Sequence, residues 1–219
     1  MAVIHHTVLR PSKLELLAAW LPSRPWYRGG AAGPELVKSG GFRLDDPEGE
    51  VGIEFMVVTD VSGPEPVPYL VPLTYRGAPL DGAEHALVGT MEHGVLGRRW
   101  AYDGCHDPVL AAQLTALLEG RAQAQDQNTS DLPDREITAS YDGAGPLGDA
   151  VTPAVADDED GTELTVSEDV VLRLRRTPRA TPEGAPVLPQ GAIGHVTGAW
   201  QQPDGTHARG LFAVLRPRA

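Results

Sequence analysis

The sequence holds a single cysteine, Cys105, which excludes an intramolecular disulfide and points to a reducing, cytoplasmic setting. Nothing in it approaches the ~18 consecutive apolar residues of a membrane span. Its start, Met1–Leu9, lacks the basic and apolar regions of a signal peptide. Positive charge is scarce, with 18 Lys and Arg against 30 Asp and Glu and a formal net charge of −12. A field of that sign repels phosphodiester backbones and anionic lipid, which argues against nucleic acid and membrane surfaces as partners. Also missing are a G-x-S-x-G elbow, a Walker A stretch, and any C-x-x-C or H-x-x-x-H pair with zinc-ligand spacing. No catalytic residue, metal or cofactor is therefore expected from motifs alone.

What is present describes a folded, turn-rich chain. Hydrophobic residues make up 41%, which argues against wholesale disorder, and 25 glycines with 20 prolines predict many turns and few long helices. Ala2–Leu9 reads as a strand in which His5 and His6 point to opposite faces. Pro11-Ser12 opens a helix carrying Leu14 and Leu17, stopped by Pro22. From Gly41 to Thr90 the apolar period moves toward two. Strand candidates are Phe42–Leu44, Val51–Val61, Pro68–Tyr75, Ala86–Met91 and Arg98–Tyr102, spaced as an antiparallel meander. Pro72 suggests an edge or bulge, and an edge there would leave room for a homo-oligomer. Asp107-Pro108 caps a helix over Val109–Ala122, with Leu110, Leu114, Leu117 and Leu118 on one face. Residues 123–133 are polar and aperiodic, like a linker. Beyond them come Glu136–Tyr141, Leu164–Val166, Val170–Arg176, an irregular run Thr177–Gly191, and a closing hairpin of Gly194–Trp200 with Gly210–Leu215 around Pro203-Asp204-Gly205.

Several constellations invite chemistry, and each has a plainer reading beside it. Gly143–Gly148 spells G-x-G-x-x-G, but Pro146 removes a cradling amide and no helix start follows, so a turn is expected. Cys105-His106-Asp107 sets three ligand types in a row, yet neighbours rarely converge on one ion, and Asp107 reads as a helix N-cap. The acidic run Asp157–Glu163 reads as a solvated loop. Arg173, Arg175, Arg176 and Arg179 form a cationic cluster able to meet a phosphate or carboxylate. Arg173 and Arg175 have opposite parity to Leu172 and Leu174, on the wet side of a strand. Trp26, Tyr27, Tyr69 and Tyr75 are of the type that lines a sugar-binding face or, in a small β protein, fills the core.

Three stretches taken together resemble the N-terminal cap region of actinobacterial maltokinases and related aminosugar kinases. They are Leu21–Tyr27 (LPSRPWY), Tyr69–Arg76 (YLVPLTYR) and Ala101–Pro108 (AYDGCHDP). The resemblance implies an α+β fold, an antiparallel sheet with packed helices over residues 1–122. A linker at 123–133 and a small β-rich subdomain at 134–219, like the family's intermediate subdomain, would follow. It also places Arg173 where the family carries its ATP-binding lysine. The His-Gly-Asp and Asp-Phe-Glu-like motifs of the catalytic lobe have no counterpart here, and the sequence stops at Ala219, before that lobe would begin. The expectation is a non-catalytic cap-like protein with a binding or regulatory role, partnered by a kinase or another enzyme of glycan or trehalose metabolism. The alternatives are the nucleotide-binding lobe of a split sugar kinase, or a small carbohydrate-binding module using the four aromatics.

Overall fold

In the computed structural model, which describes residues 9–30, 33–129, 132–148, 154–181 and 186–218, the helix signal at Pro11-Ser12 produces a capping box. Ser12 Oγ accepts the Glu15 amide while the Glu15 carboxylate takes the Ser12 amide, starting helix α1, Lys13–Trp20. The chain then tightens into a 3₁₀ turn at Leu21–Ser23 around Pro22. Helix α2, Pro108–Leu118, starts as expected on Asp107, whose carboxylate accepts the Val109 amide. It stops short of Ala122 because Gly120 adopts the left-handed conformation (φ 70°), and the Arg121 and Ala122 amides fold back onto the Ala116 carbonyl.

The remaining regular elements are strands. The first six are β1 (Leu9–Arg10), β2 (Leu36–Leu44), β3 (Gly52–Asp60), β4 (Val67–Arg76), β5 (Leu87–His93) and β6 (Gly97–Asp103). They are followed by β7 (Thr138–Tyr141), β8 (Val155–Asp158), β9 (Gly161–Thr165), β10 (Val170–Leu174), β11 (Gly194–Gln201) and β12 (His207–Pro217). All belong to one antiparallel sheet of order β1-β5-β6-β4-β3-β2-β11-β12-β10-β9-β8, with β7 also paired to β11. The protein is thus mostly β, and the strands of residues 134–219 extend the first sheet instead of forming one of their own. Most of the expected strand Ala2–Leu9, with His5 and His6, lies outside the described residues; Leu9 and Arg10 pair with His93 and Glu92.

Two expectations about neighbours are corrected. The strands are not a simple meander, because the β5–β6 hairpin folds back so that β6 sits between β5 and β4. Nor is β4 an edge: it lies between β3 and β6, with Pro72 opposite Phe55. Pro72 is tolerated because β6 pairs only Leu73–Arg76. The missing amides of Pro68 and Pro72 fall on the same side as the Leu70 amide, beyond the end of β6, so no β6 ladder bond is lost. The acidic run also departs from a free loop, since it forms the β8–β9 hairpin.

A flat sheet would hold β4 and β10 five strand steps apart, about 24 Å at ~4.8 Å per step. Instead the Leu70 amide of β4 donates to the carbonyl of Arg176, two residues past β10, at 2.8 Å. The sheet therefore curls back on itself. Phe42, Phe55, Val57 and Leu70 of the first strands meet Leu164, Leu172, Leu174, Val196 and Phe212 of the last, and the apolar face of α2 joins them in one core. Phe42 and Phe55 stack at 4.4 Å. The other face of β3 and β4 holds a second core, in which Met56, Val58, Tyr69, Val71 and Leu73 pack against Leu17, Trp20, Leu21 and Trp26 of α1 and its following loop. Contact between β2 and β11 is made at Gly40 opposite Trp200. A Cβ on Gly40 would stand 3.3 Å from the Trp200 Cα. Residues of the polar stretch 123–133 run along this joint: Gln125 exchanges backbone bonds with Arg43 at 2.9 Å, and Gln127 Nε2 donates to the Gly40 carbonyl at 2.9 Å.

Candidate functional site

Arg173 sits on β10 with Leu172 and Leu174 buried on either side, so its position away from the core follows the expected alternation. Its guanidinium nevertheless already has a partner. It is only 15% exposed and forms an ion pair with Asp158 at the end of the edge strand β8. The hydrogen bond from Arg173 is the main reason the Asp158 carboxyl is held below its ordinary range.

Arg176 behaves in the opposite way to an exposed cluster member, and sequence reasoning missed it. Its side chain is 0% exposed. Nη2 donates to Asp103 Oδ2 at 2.5 Å and lies 3.3 Å from Cys105 Sγ, Nε donates to Thr162 Oγ1 at 2.6 Å, and the guanidinium lies 4.8 Å from the Trp26 ring centroid. Burial alone would lower its pKa; the Asp103 charge and hydrogen bond and the Cys105 sulfur outweigh that and hold it above the ordinary value. The signal was in the sequence, for residue 176 shares the parity of Leu172 and Leu174, the buried face. Arg176 thereby ties the loop after α1, the end of β6, the turn before α2 and strand β9 to one point.

The four aromatics occupy the α1 side of the sheet. Trp26 and Tyr69 are both 0% exposed, so neither ring offers a face to a sugar. Trp26 stacks edge-on against Trp20 at 5.7 Å and tilts against Tyr69 at 6.0 Å. Tyr27 and Tyr75 are half-buried with their hydroxyls engaged, Tyr27 to Asp60 at 3.0 Å and Tyr75 to Glu54 at 2.8 Å. Burial first, then the Asp60 hydrogen bond, pushes the Tyr27 phenol up to about 12. Glu54 is buried on β3 and takes the Lys13 ammonium of α1 as ion-pair partner. Burial works to raise the Glu54 carboxyl, but the Lys13 charge and hydrogen bond, with Tyr75 and Lys38 behind them, hold it below its ordinary range.

The run Cys105-His106-Asp107 divides its labour structurally. Asp107 caps α2 and takes both Arg76 Nε and Nη2 at 2.7 Å, a two-pronged pair that fixes the β4 end against the helix start. Burial pushes the Cys105 thiol well above its usual value, which disfavours the thiolate. His106 Nδ1 lies 3.1 Å from His85 Nε2, with the rings edge-to-face. Burial lowers the His106 pKa and the His85 charge adds to it, against the pull of Asp103. Among the described residues no group of three or more His, Cys, Asp or Glu is placed to hold a metal ion. Gly143–Gly148 is irregular, as expected of a turn, and its Leu147 amide donates to Glu119 Oε1 at 2.6 Å. No helix among the described residues is long and apolar enough to cross a membrane.

The sequence-predicted positions are therefore not gathered into one site: Arg173 lies by the β8 edge, and the aromatics lie under α1. Between them stands the Arg176–Asp103 pair, built on the YLVPLTYR and AYDGCHDP strands and the LPSRPWY loop. Those three segments, but for Pro108, fall within one contiguous block. Residues 20–107, from the last residue of α1 to the Asp107 cap of α2, match the family model described as the Maltokinase N-terminal cap domain, so the resemblance holds over this stretch of the 219-residue chain.

Proposed function

We propose that this chain acts as a non-catalytic binding or regulatory protein built around its cap-like region, with a cytoplasmic kinase or another enzyme of glycan or trehalose metabolism as its partner. The observation that carries this reading is the pairing of Arg173 with Asp158. A residue at the position of a phosphate-binding lysine needs its charge free to meet the nucleotide; here an adjacent carboxylate on the edge strand has taken it, and arginine's planar fork is a poor substitute for a compact ammonium. The continuity of the sheet through β2 and β11 supports the same reading, because it holds the cap-like strands and those after residue 134 as one firm scaffold. The test is to incubate the purified chain with Mg²⁺, ATP and either maltose or glucosamine and assay for ADP. No turnover is expected, and measurable phosphorylation of either sugar overturns the reading.

The nucleotide lobe of a split kinase is the second reading. It is favoured by the cationic residues Arg175 and Arg179 that follow Arg173 in the chain. It requires an ATP-induced rise in melting temperature that disappears in Arg173→Ala. The carbohydrate-binding reading draws no support from Trp26 and Tyr69, whose rings are sealed in the core.

A further inference from the structure

The geometry points to a binding site for the phosphoryl group of a small hydroxylated phosphate monoester, in the cleft lined by Arg175, Thr177, Arg179, Thr181 and Asp160. This cleft measures about 340 Å³, and Leu211 of β12 completes its lining. It lies outside residues 20–107, so its failure would leave the reading above standing, and the converse also holds.

The segment carrying both arginines is irregular, yet it is pinned at both ends to β12. The Arg175 amide donates to the Phe212 carbonyl at 2.8 Å, and the Thr181 amide and hydroxyl donate to the Arg209 carbonyl at 2.8 and 2.9 Å. Between these anchors Pro178 is buried. The two guanidinium groups thus project from a fixed frame, which lowers the entropy lost when a ligand orders them.

The four arginines of the original cluster now separate by role. Arg173 is taken by Asp158 and Arg176 by Asp103, whereas Arg175 and Arg179 make no ion pair with any described residue. Asp160, the acidic group of the cleft, is shared with Arg28 at 3.5 Å. The two other charged side chains of the lining, Arg175 and Arg179, are both positive, in a protein whose net charge is −12. Two guanidinium groups lining one cleft favour an anion between them, and a cleft concentrates their field against the acidic background. Guanidinium forks match the oxygens of a phosphate, and the Thr177 hydroxyl adds a donor. Inorganic phosphate alone leaves much of the cleft unfilled. The Asp160 carboxylate in the same lining accepts hydrogen bonds from hydroxyl groups, which selects a carrier that has them.

The experiment titrates the full chain with inorganic phosphate, glycerol 3-phosphate or acetate at about pH 7.5, where phosphate is mainly dianionic. Ionic strength is held constant with chloride, and both heat and melting temperature are read. Saturable binding and a melting-temperature rise are expected with both phosphates, glycerol 3-phosphate binding at least as tightly, and neither with acetate. Arg179→Gln, at an exposed position, should weaken binding about tenfold or more. Arg175→Gln combined with Arg179→Gln should abolish it, and Arg173→Gln should leave it unchanged. The proposal is overturned by no saturable response to either phosphate, by acetate binding as well as phosphate, or by undiminished binding in Arg179→Gln with its circular dichroism spectrum intact. Should the double variant fail to fold, the single Arg179→Gln variant decides.

Discussion

Two buried ion pairs hold the two sides of this sheet, and they differ in what surrounds the cation. On the α1 face, Lys13 reaches from the helix to Glu54 while remaining 30% exposed, so its ammonium keeps a path to water. At the seam between the two cores, Arg176 is 0% exposed and Asp103 1%, and neither has such a path. Removing one partner of the first pair strands only Glu54 or releases Lys13 to solvent. Removing one partner of the second leaves a charge with nowhere to go, and four chain segments lose their common anchor. The first pair fastens a helix to a sheet; the second decides how the sheet closes on itself.

The strongest way to test this contrast is Arg176→Met, which strands the Asp103 carboxylate in the interior. A loss of about 3–5 kcal/mol in urea unfolding is expected, partly recovered when Asp103→Asn is added, because the burial penalty belongs to the uncompensated charge. A loss no greater than that of an exposed pair would mean the seam does not close through this residue. Glu54→Gln comes next. The amide oxygen still accepts from Tyr75 and Lys13 can turn outward, so a smaller loss, about 1–3 kcal/mol, is expected in the same assay. Equal losses for the two variants would erase the distinction between helix anchor and seam.

Acid should separate the two regions in a defined order. The folded-state pKa of His106 lies below its ordinary 6.5, so its contribution to stability is fully present above that value and is lost as pH falls through the depressed one. The charged groups that act on His106 are Asp103, His85, Asp157 and Arg176, which places this loss at the seam. Glu54 is also depressed, from an ordinary 4.5, so the α1 face keeps its contribution until the pH drops below that point. Melting temperature measured against pH should therefore begin to fall from about 6.5, and His106→Gln should flatten that first segment while leaving the later one. The smallest effect is expected from Arg173→Ala. Asp158, its partner, is 56% exposed and can be hydrated instead, so the change in stability should not exceed about 1 kcal/mol by denaturation.

Helix starts and a tight hairpin turn are legible in the sequence because a single segment decides its own structure there, although the α2 stop at Gly120 is not. The capping box at Ser12 and Glu15, the Asp107-Pro108 start of α2 and the β11–β12 hairpin around Pro203-Asp204-Gly205 all follow from side chains bonding to nearby backbone. The Arg176 position is equally legible, from the same alternation that places Leu172 and Leu174 inside, although its charge argues for the surface. Pro72 shows the converse. A proline in a strand excludes a ladder bond on one side only, and no local signal says that the β6 partner ends at Leu73, before reaching it. The aromatics Trp26 and Tyr69 were legible as core or as sugar platform, and only their place beneath α1 resolved the two.

The sequence carried most of the elements, their faces and the likeness of residues 20–107 to the maltokinase cap model, because capping, turn chemistry and alternation act within a few residues, and because three short stretches in order carry that likeness. The tertiary structure settled which strands are neighbours, that the sheet closes through Leu70 and Arg176, and that Arg173 and Arg176 take carboxylate partners. Those outcomes depend on contacts between residues far apart in the chain, where a carboxylate's position, and not the arginine's own identity, fixes whether a positive charge is paired.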